Sequence, residues 1–413
     1  LPQLGASFTT GGSIQLAAAD APAGTLPRLA LAGDWKALRW PLDAKQAPVV
    51  NSTGGRYALE GALPYAFTIS GDVGGPAIPG SIFEAGGSLD RAGVRLDRLD
   101  ATTMGGRVSG HGTLQWADAQ AWAFEVDARG LVLAELRPGV EGRINVRGAI
   151  SGAGLSAAAP WTARLTSVSG TMLGRPLTGR GEVSHRDGTY RLQRVRLANG
   201  ASFADVDGSV SAESLDLRWN LDLRSLAIVA KGLGGQLVSR GSARGALTRP
   251  LVTATARARD LSYDGILVRV VEADVDVDAS DRRPSRLALE ARSVSTPALD
   301  FDFVRAGLDG PLGDHEFVFA FASPGSEDRR IAALRGGIAA QGTLDLAQLR
   351  WSGDLTQADV VFPDGEARLI QPAALTLGAD LQRAAPDCLR TGNDARLCVE
   401  GEHHAQPRSW RVI

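Results

Sequence analysis

The chain has 413 residues, 50 of them Gly, with Lys plus Arg 44 against Asp plus Glu 46 and a net charge of -2. That balance argues against a nucleic-acid binder, which needs a concentrated basic face to displace counterions from phosphate. Gly exceeds its usual share of ~7% while apolar residues stand at 44%, so the chain can bury apolar surface but its backbone turns often.

Leu1 to Gly12 hold no basic segment followed by an apolar stretch, so no signal peptide is visible there. No run of about 18 apolar residues occurs, so no segment reads as a membrane-spanning helix. The last residues, Trp410 to Ile413, stop inside an alternating pattern, and the sequence reads as a piece of a longer chain.

Alternation with period two dominates, placing every second side chain on one face of a strand. Trp122, Phe124 and Val126 alternate with Glu125 and Asp127. Leu215, Leu217, Trp219, Leu221 and Leu223 alternate with Asp216, Arg218, Asn220 and Asp222. A helix would scatter these residues around its circumference, whereas a strand separates them completely. Val275 and Val277 follow the same rule against Asp274, Asp276 and Asp278, as do Phe301 and Phe303 against Asp300 and Asp302. In Phe317, Phe319 and Phe321 the intervening Val318 and Ala320 are also apolar, which predicts burial on both faces. Gly54-Gly55, Gly105-Gly106, Asp187-Gly188, Asn199-Gly200, Asp207-Gly208, Asp264-Gly265 and Asp309-Gly310 supply the positive φ that tight hairpins need. Asp354 to Val361 and Glu366 to Leu377 are the only candidate short helices.

A loose repeat overlies the alternation: a Gly, a short strand, then Trp opening a second strand, as in Gly112 to Trp122, Gly148 to Trp161, Gly208 to Trp219 and Gly342 to Trp351. Its uneven spacing disfavours a propeller or a parallel β-helix. The expected fold is all-β: an elongated, curved, mainly antiparallel sheet of about 30 strands forming a taco-like groove with an apolar interior. Residues 1–413 read as one continuous array with soft sub-boundaries near 150–160 and 280–285. The competing arrangement is a closed two-sheet sandwich with the same residues in its core.

Gly61 to Gly71, Gly105 to Trp116, Ala340 to Leu346 and the segment from Cys388 to Gly401 resemble the TamB family, AsmA-like proteins of Gram-negative envelopes. The resemblance is one of repeated texture over essentially the whole chain. It implies a non-catalytic conduit in the periplasm, part of a protein anchored in the inner membrane, carrying phospholipid acyl chains along an apolar β-groove toward a TamA-like outer-membrane barrel. One alternative is a chaperone-like scaffold that assists outer-membrane protein assembly by β-augmentation. Another is a structural β-solenoid passenger or adhesin. The residues expected to line the groove are Trp122, Phe124, Val126, Leu215, Leu217, Trp219, Leu221, Leu223, Phe301, Phe303, Phe317, Phe319 and Phe321.

Cys388 and Cys398 flank a turn-like stretch, and facing positions of an antiparallel hairpin lie close enough for a disulfide; two free thiols are the alternative. His403 and His404 point to opposite faces of a strand and lack a second ligand pair, so no metal site is expected. Asp314-His315-Glu316 has no nucleophile elbow or zinc motif to accompany it. The run Glu272, Asp274, Asp276 and Asp278 reads as a solvated face rather than a calcium site. No cofactor and no enzymatic activity are expected.

Overall fold

The computed structural model describes residues 6–16, 20, 26–40, 47–76, 78–116, 120–154, 156, 158–230, 232–325, 332–346, 348, 350–378, 381–392 and 396–404. Strand makes up 77% and helix almost nothing. Two compact units divide the chain, Leu1–Gly200 and Ala201–Ile413.

The first unit contains β1 (Ser7–Gln15), β2 (Arg28–Trp40), β3 (Val50–Gly61), β4 (Tyr65–Gly75), β5 (Ile78–Leu89), β6 (Gly93–Thr103), β7 (Gly106–Gln115), β8 (Ala121–Val132), β9 (Gly142–Ala153), β10 (Trp161–Met172), β11 (Arg175–Arg186) and β12 (Thr189–Asn199), with a single helical turn α1 (Leu133–Leu136) after β8. Each strand pairs antiparallel with the next. Met104-Gly105, Leu173-Gly174 and Asp187-Gly188 all have positive φ and close two-residue turns whose twist matches the strands they join. Gly54-Gly55 is not a turn; it lies inside β3.

The second unit contains β13 (Ser202–Val210), β14 (Ser214–Leu223), β15 (Gly234–Ala246), β16 (Arg249–Tyr263), β17 (Ile266–Asp278), β18 (Ser285–Ser295), β19 (Asp300–Gly310), β20 (His315–Ser323), β21 (Leu334–Asp345), β22 (Arg350–Phe362), β23 (Gly365–Leu369), β24 (Ala373–Gly378), β25 (Leu381–Thr391) and β26 (Arg396–His404). Consecutive strands again pair antiparallel up to β22. Asp207-Gly208 lies within β13, whereas Asp264-Gly265 closes the β16–β17 turn. The two candidate helices are strands: Asp354 to Val361 belongs to β22, and Glu366 to Leu377 spans β23 and β24. Both short strands pair with β22 and with β25, so they continue one line of the ladder. The line breaks just before β24, where Pro372 has no N–H to donate.

Register carries one chemistry across each unit. In the first, Phe8, Trp35, Gly55, Gly71, Phe83, Ala101, Val108, Ala128, Val146, Val168, Gly179 and Leu197 face one another strand by strand from β1 to β12. The second repeats this with Val206, Trp219, Gly241, Ala254, Val275, Leu287, Leu308, Phe317, Ala340, Leu355 and Ala373. One residue away, Asp34, Arg56, Ser70, Glu84, Asp100, Ser109, Asp127 and Arg147 form the opposite, hydrophilic row. Slipping any strand by one residue would exchange the two rows, so apolar burial fixes the register.

The alternation is interrupted in mid-strand. In β6 the apolar face steps from Leu96 to Leu99, in β8 from Ala128 to Leu131, in β10 from Leu165 to Val168, in β12 from Leu192 to Val195, in β16 from Ala258 to Leu261 and in β22 from Leu355 to Ala358. Each step accompanies a register shift against a neighbouring strand, the mark of a β-bulge. A bulge absorbs the extra residue, bends the strand and increases its twist. Several well-buried apolar side chains, among them Ala128, Leu131, Val168, Ala258 and Ala340, lie along or beside these steps. In the first unit Ala128, Leu131, Ile144, Val168 and Leu177 make one contiguous cluster.

The hydrophilic row is held by ion pairs. Asp127 accepts hydrogen bonds from Arg129 at 2.9 Å and Arg147 at 3.0 Å, and these hold its pKa down to about 2. Glu290 is lowered chiefly by Arg292 and also by Arg305, and Asp276 chiefly by Arg283. A carboxylate whose folded pKa lies below its unfolded value stabilises the fold fully above the unfolded value, near pH 4. That contribution is lost as pH falls toward the folded value. The melting temperature should therefore fall between pH 4 and pH 2, with a shallower slope in Asp127→Asn, measured by circular dichroism across that range.

Candidate functional site

The apolar faces are the candidate site, and the expected lining residues fall on them with one exception. Trp122, Phe124 and Val126 in β8 face Gly152, Ile150 and Gly148 of β9. In β14, Leu215, Leu217, Trp219, Leu221 and Leu223 face Gly245, Ala243, Gly241, Ser239 and Leu237 of β15. Phe317, Phe319 and Phe321 in β20 face Leu308, Ala306 and Val304. Phe301 meets Phe321 edge-on at 6.0 Å between ring centres, and Phe319 lies 5.9 Å from Phe321. All of these side chains are half-buried. The inward residues of a closed sandwich would be sealed; these keep an open side.

Phe303 is the exception. Its cross-strand neighbour is Arg292, and the Arg305 guanidinium sits over its ring at 4.9 Å from the centroid. It belongs to the hydrophilic face. The strict alternation of Phe301 and Phe303 misled because the strand takes a three-residue step here, from Phe301 facing Val294 to Val304 facing Ala291. Burial on both faces at Phe317 to Phe321 is likewise corrected: Val318 is 44% exposed.

Tryptophans lie across glycines of neighbouring strands. A Cβ added to Gly55 would come within 2.0 Å of the Trp35 ring, one on Gly152 within 2.5 Å of Trp122, one on Gly241 within 2.5 Å of Trp219 and one on Gly342 within 2.7 Å of Trp351. Only a residue without a side chain leaves room for the indole to lie down. Each indole N–H is also satisfied. Trp35 donates to Ser52 Oγ at 2.7 Å, Trp122 to the Gly154 carbonyl at 2.9 Å, Trp219 to Ser239 Oγ at 3.1 Å and Trp351 to His315 Nε2 at 2.9 Å. These pairs anchor large aromatic surfaces in the apolar face without an unpaired polar group. Sequence reading found the Gly-to-Trp repeat but not the partner: in the first three pairs the glycine lies on the following strand.

His315 is 1% exposed and belongs to this framework. An indole N–H can only donate, so Nε2 carries a lone pair and the proton resides on Nδ1, which bonds the Leu312 carbonyl at 3.1 Å. Neighbouring Asp314 accepts a hydrogen bond from Gln341 instead. His185 is buried beside Trp161 and Tyr190, with ring separations of 6.2 Å and 4.7 Å.

On the hydrophilic face of the first unit a cavity of about 840 Å³ is lined by residues that include Arg56, Glu84, Asp100, Asp127 and Arg129. Its carboxylates are engaged internally: Arg98 binds both Glu84 and Asp100, and Arg129 binds Asp127. In the acidic run of β17, Glu272 pairs with Arg257 at 3.2 Å, Asp276 pairs with Arg283, and Asp278 accepts from Ser280. No cluster of three or more His, Cys, Asp or Glu suited to a metal occurs among the described residues. The β25–β26 register sets Cys388 opposite Cys398. The side chains of Cys398, His403 and His404 lie outside the described residues, as do Trp410 to Ile413.

The chain matches the family described as TamB, N-terminal domain, over residues 3–409. The chain belongs to the TamB family. This is an envelope-associated family of transport and assembly proteins. No solved structure matches the chain. No helix among the described residues is long and apolar enough to cross a membrane. The TamB-type texture in the sequence thus corresponds to a physical motif, alternating apolar strands with tryptophans resting on cross-strand glycines.

Filling those glycines should be costly. Gly241→Val is expected to lose about 2–3 kcal/mol, the scale of an overpacked core. Gly55→Ala combined with Trp35→Ala should be less destabilising than the sum of the single variants, because removing the ring removes part of the clash. Chemical denaturation of the four proteins in that cycle measures the coupling.

Proposed function

We propose that the apolar groove of this TamB-family chain carries phospholipid acyl chains through the periplasm, within a protein anchored in the inner membrane and working with a TamA-like outer-membrane barrel. The observation that supports it most is the half-buried state of the aromatic and aliphatic stripe. Trp122, Phe124, Leu217, Leu221 and Phe319 each retain contact with the outside instead of being sealed by a second layer. A contiguous apolar face of this kind is costly in water and calls for an apolar occupant. Each methylene leaving water gains ~0.8 kcal/mol, so exposing a whole lipid tail would cost on the order of 12 kcal/mol. Transfer from bilayer to groove avoids most of that cost because both surroundings are oily, and motion between successive apolar rungs is then nearly level in energy.

The hydrophilic face suits this role by its self-sufficiency. Its carboxylates and guanidinium groups are largely matched to each other, as in the Arg98, Asp127 and Glu290 clusters, which favours solvation over ligand capture. A scaffold role by β-augmentation is the second reading. It is favoured by β1, whose residues are all exposed and which pairs with β2.

A photoreactive residue at Leu221 should crosslink to phospholipid in intact envelopes, whereas one at Phe303, on the opposite face, should not. Leu221→Asp should abolish lipid capture while leaving strand content intact. Equal crosslinking from both positions, or full capture by the folded Asp variant, would rule out the groove as the carrier. In the same reading Cys388 and Cys398 form a disulfide in an oxidising compartment. Thiol alkylation of the unreduced protein should then label neither cysteine, and reduction should lower stability by about 2–3 kcal/mol.

A further inference from the structure

One stretch of the hydrophilic face breaks the matching of charge. The net charge of -2 conceals two opposite halves: residues 1–200 hold 20 Lys and Arg against 16 Asp and Glu, and residues 201–413 hold 24 against 30. The basic excess is concentrated in β9 to β12, where residues 142–199 carry nine Arg and only two acidic residues, Glu182 and Asp187. Glu182 is taken by Arg164 at 2.8 Å, Arg147 reaches back to Asp127 of β8, and Arg194 and Arg196 have partners of their own. Arg180, Arg186 and Arg191 are exposed and meet no carboxylate among the described residues. Their cross-strand neighbours do not neutralise them. Arg191 faces Ser184, Arg186 faces Thr189, and Arg180 faces Arg196, a like-charge juxtaposition that disfavours the sheet.

The apolar side of the same hairpin is aromatic. Trp161, His185 and Tyr190 form one cross-strand line, and the rings of Trp161 and Tyr190, two strands apart, converge to 6.3 Å over the buried His185. Tyr190 is 50% exposed. Unlike Trp35, Trp122, Trp219 and Trp351, Trp161 has no acceptor for its indole N–H among the described residues. Aromatic side chains with an apolar body and a free polar end suit the boundary between hydrocarbon and water. Guanidinium forks beside them suit the phosphates just outside it.

We propose that this edge of the first unit, the β11–β12 hairpin with Trp161 beside it, docks on an anionic bilayer surface. Span decides for a surface over a single small anion: Arg180 and Arg186 lie six residues apart on one strand, about 20 Å. One phosphate cannot bridge them, whereas an array of headgroups can. The arginines belong to the face opposite the apolar rungs, so the contact does not rest on the acyl-chain reading of the groove.

The test is co-sedimentation of the chain with vesicles of phosphatidylcholine, alone or mixed with phosphatidylglycerol. The unaltered chain should prefer the anionic vesicles, and added salt should weaken that preference. Combining Arg180→Gln, Arg186→Gln and Arg191→Gln should lower binding to anionic vesicles on the order of 100-fold, at about fivefold per charge near the surface. Tyr190→Ser, checked for folding by circular dichroism, should weaken binding to both kinds of vesicle several-fold. Leu221→Asp should keep the anionic preference, because it alters the groove alone. Unchanged binding by the folded Arg variant, or loss of the preference in Leu221→Asp, overturns the docking edge. Displacement from vesicles by sodium phosphate at constant ionic strength overturns it in favour of a small-anion site. A salt-sensitive dimer without vesicles, abolished by the Arg variant, overturns it in favour of a second copy of the chain.

Discussion

Everything in this protein depends on keeping one chemistry on one face of an antiparallel ladder. A β-strand turns its side chains over at every residue, and each strand inherits its facing from the register with its neighbour. In the first unit that inheritance runs from Phe8 through Trp35, Phe83, Val108, Val146 and Val168 to Leu197 without a polar intrusion. An error at one hairpin would invert all that follows. Two-residue turns with positive φ at both positions, such as Asp187-Gly188, leave little freedom for such an error.

A single sheet with an apolar face lacks the second layer on which most β proteins build their core. Here bending and aromatic cover partly replace it. Several small buried residues, such as Ala128 and Ala340, sit beside the bulges, and the tryptophans spread their rings over glycines where no side chain competes. The polar end of each indole finds a fixed acceptor, including His315, whose tautomer is dictated by the bond it receives. A histidine between two acidic residues in sequence is thus a structural strut, with Asp314 turned to Gln341.

The same economy governs charge. Aspartates and glutamates that could suggest cation sites in sequence are met by arginines two residues away or directly across the ladder, as with Asp127, Glu290 and Glu272. The hydrophilic face is therefore electrically closed over much of its extent. Away from the basic rungs of β11 and β12, the apolar face is the one left chemically open, and the proposed apolar cargo rests on this asymmetry.

By itself the sequence determined the fold class, the antiparallel pairing and which face of β8, β14 and β20 is apolar, because alternation and Asp-Gly turns are local signals. It also carried the family texture. It did not reveal the three-residue steps, so Phe303 was assigned to the wrong face; a bulge leaves only a shift from every second to every third residue, easily lost among apolar neighbours. Nor did it distinguish the glycines of tight turns from Gly55 and Gly241, which accept a tryptophan ring from another strand. Asp354 to Val361 and Glu366 to Leu377 became strands because β22 and β25 offered them ladders, a long-range choice that local pattern does not encode. Contacts between strands decided these features, and only the tertiary structure brings those strands together.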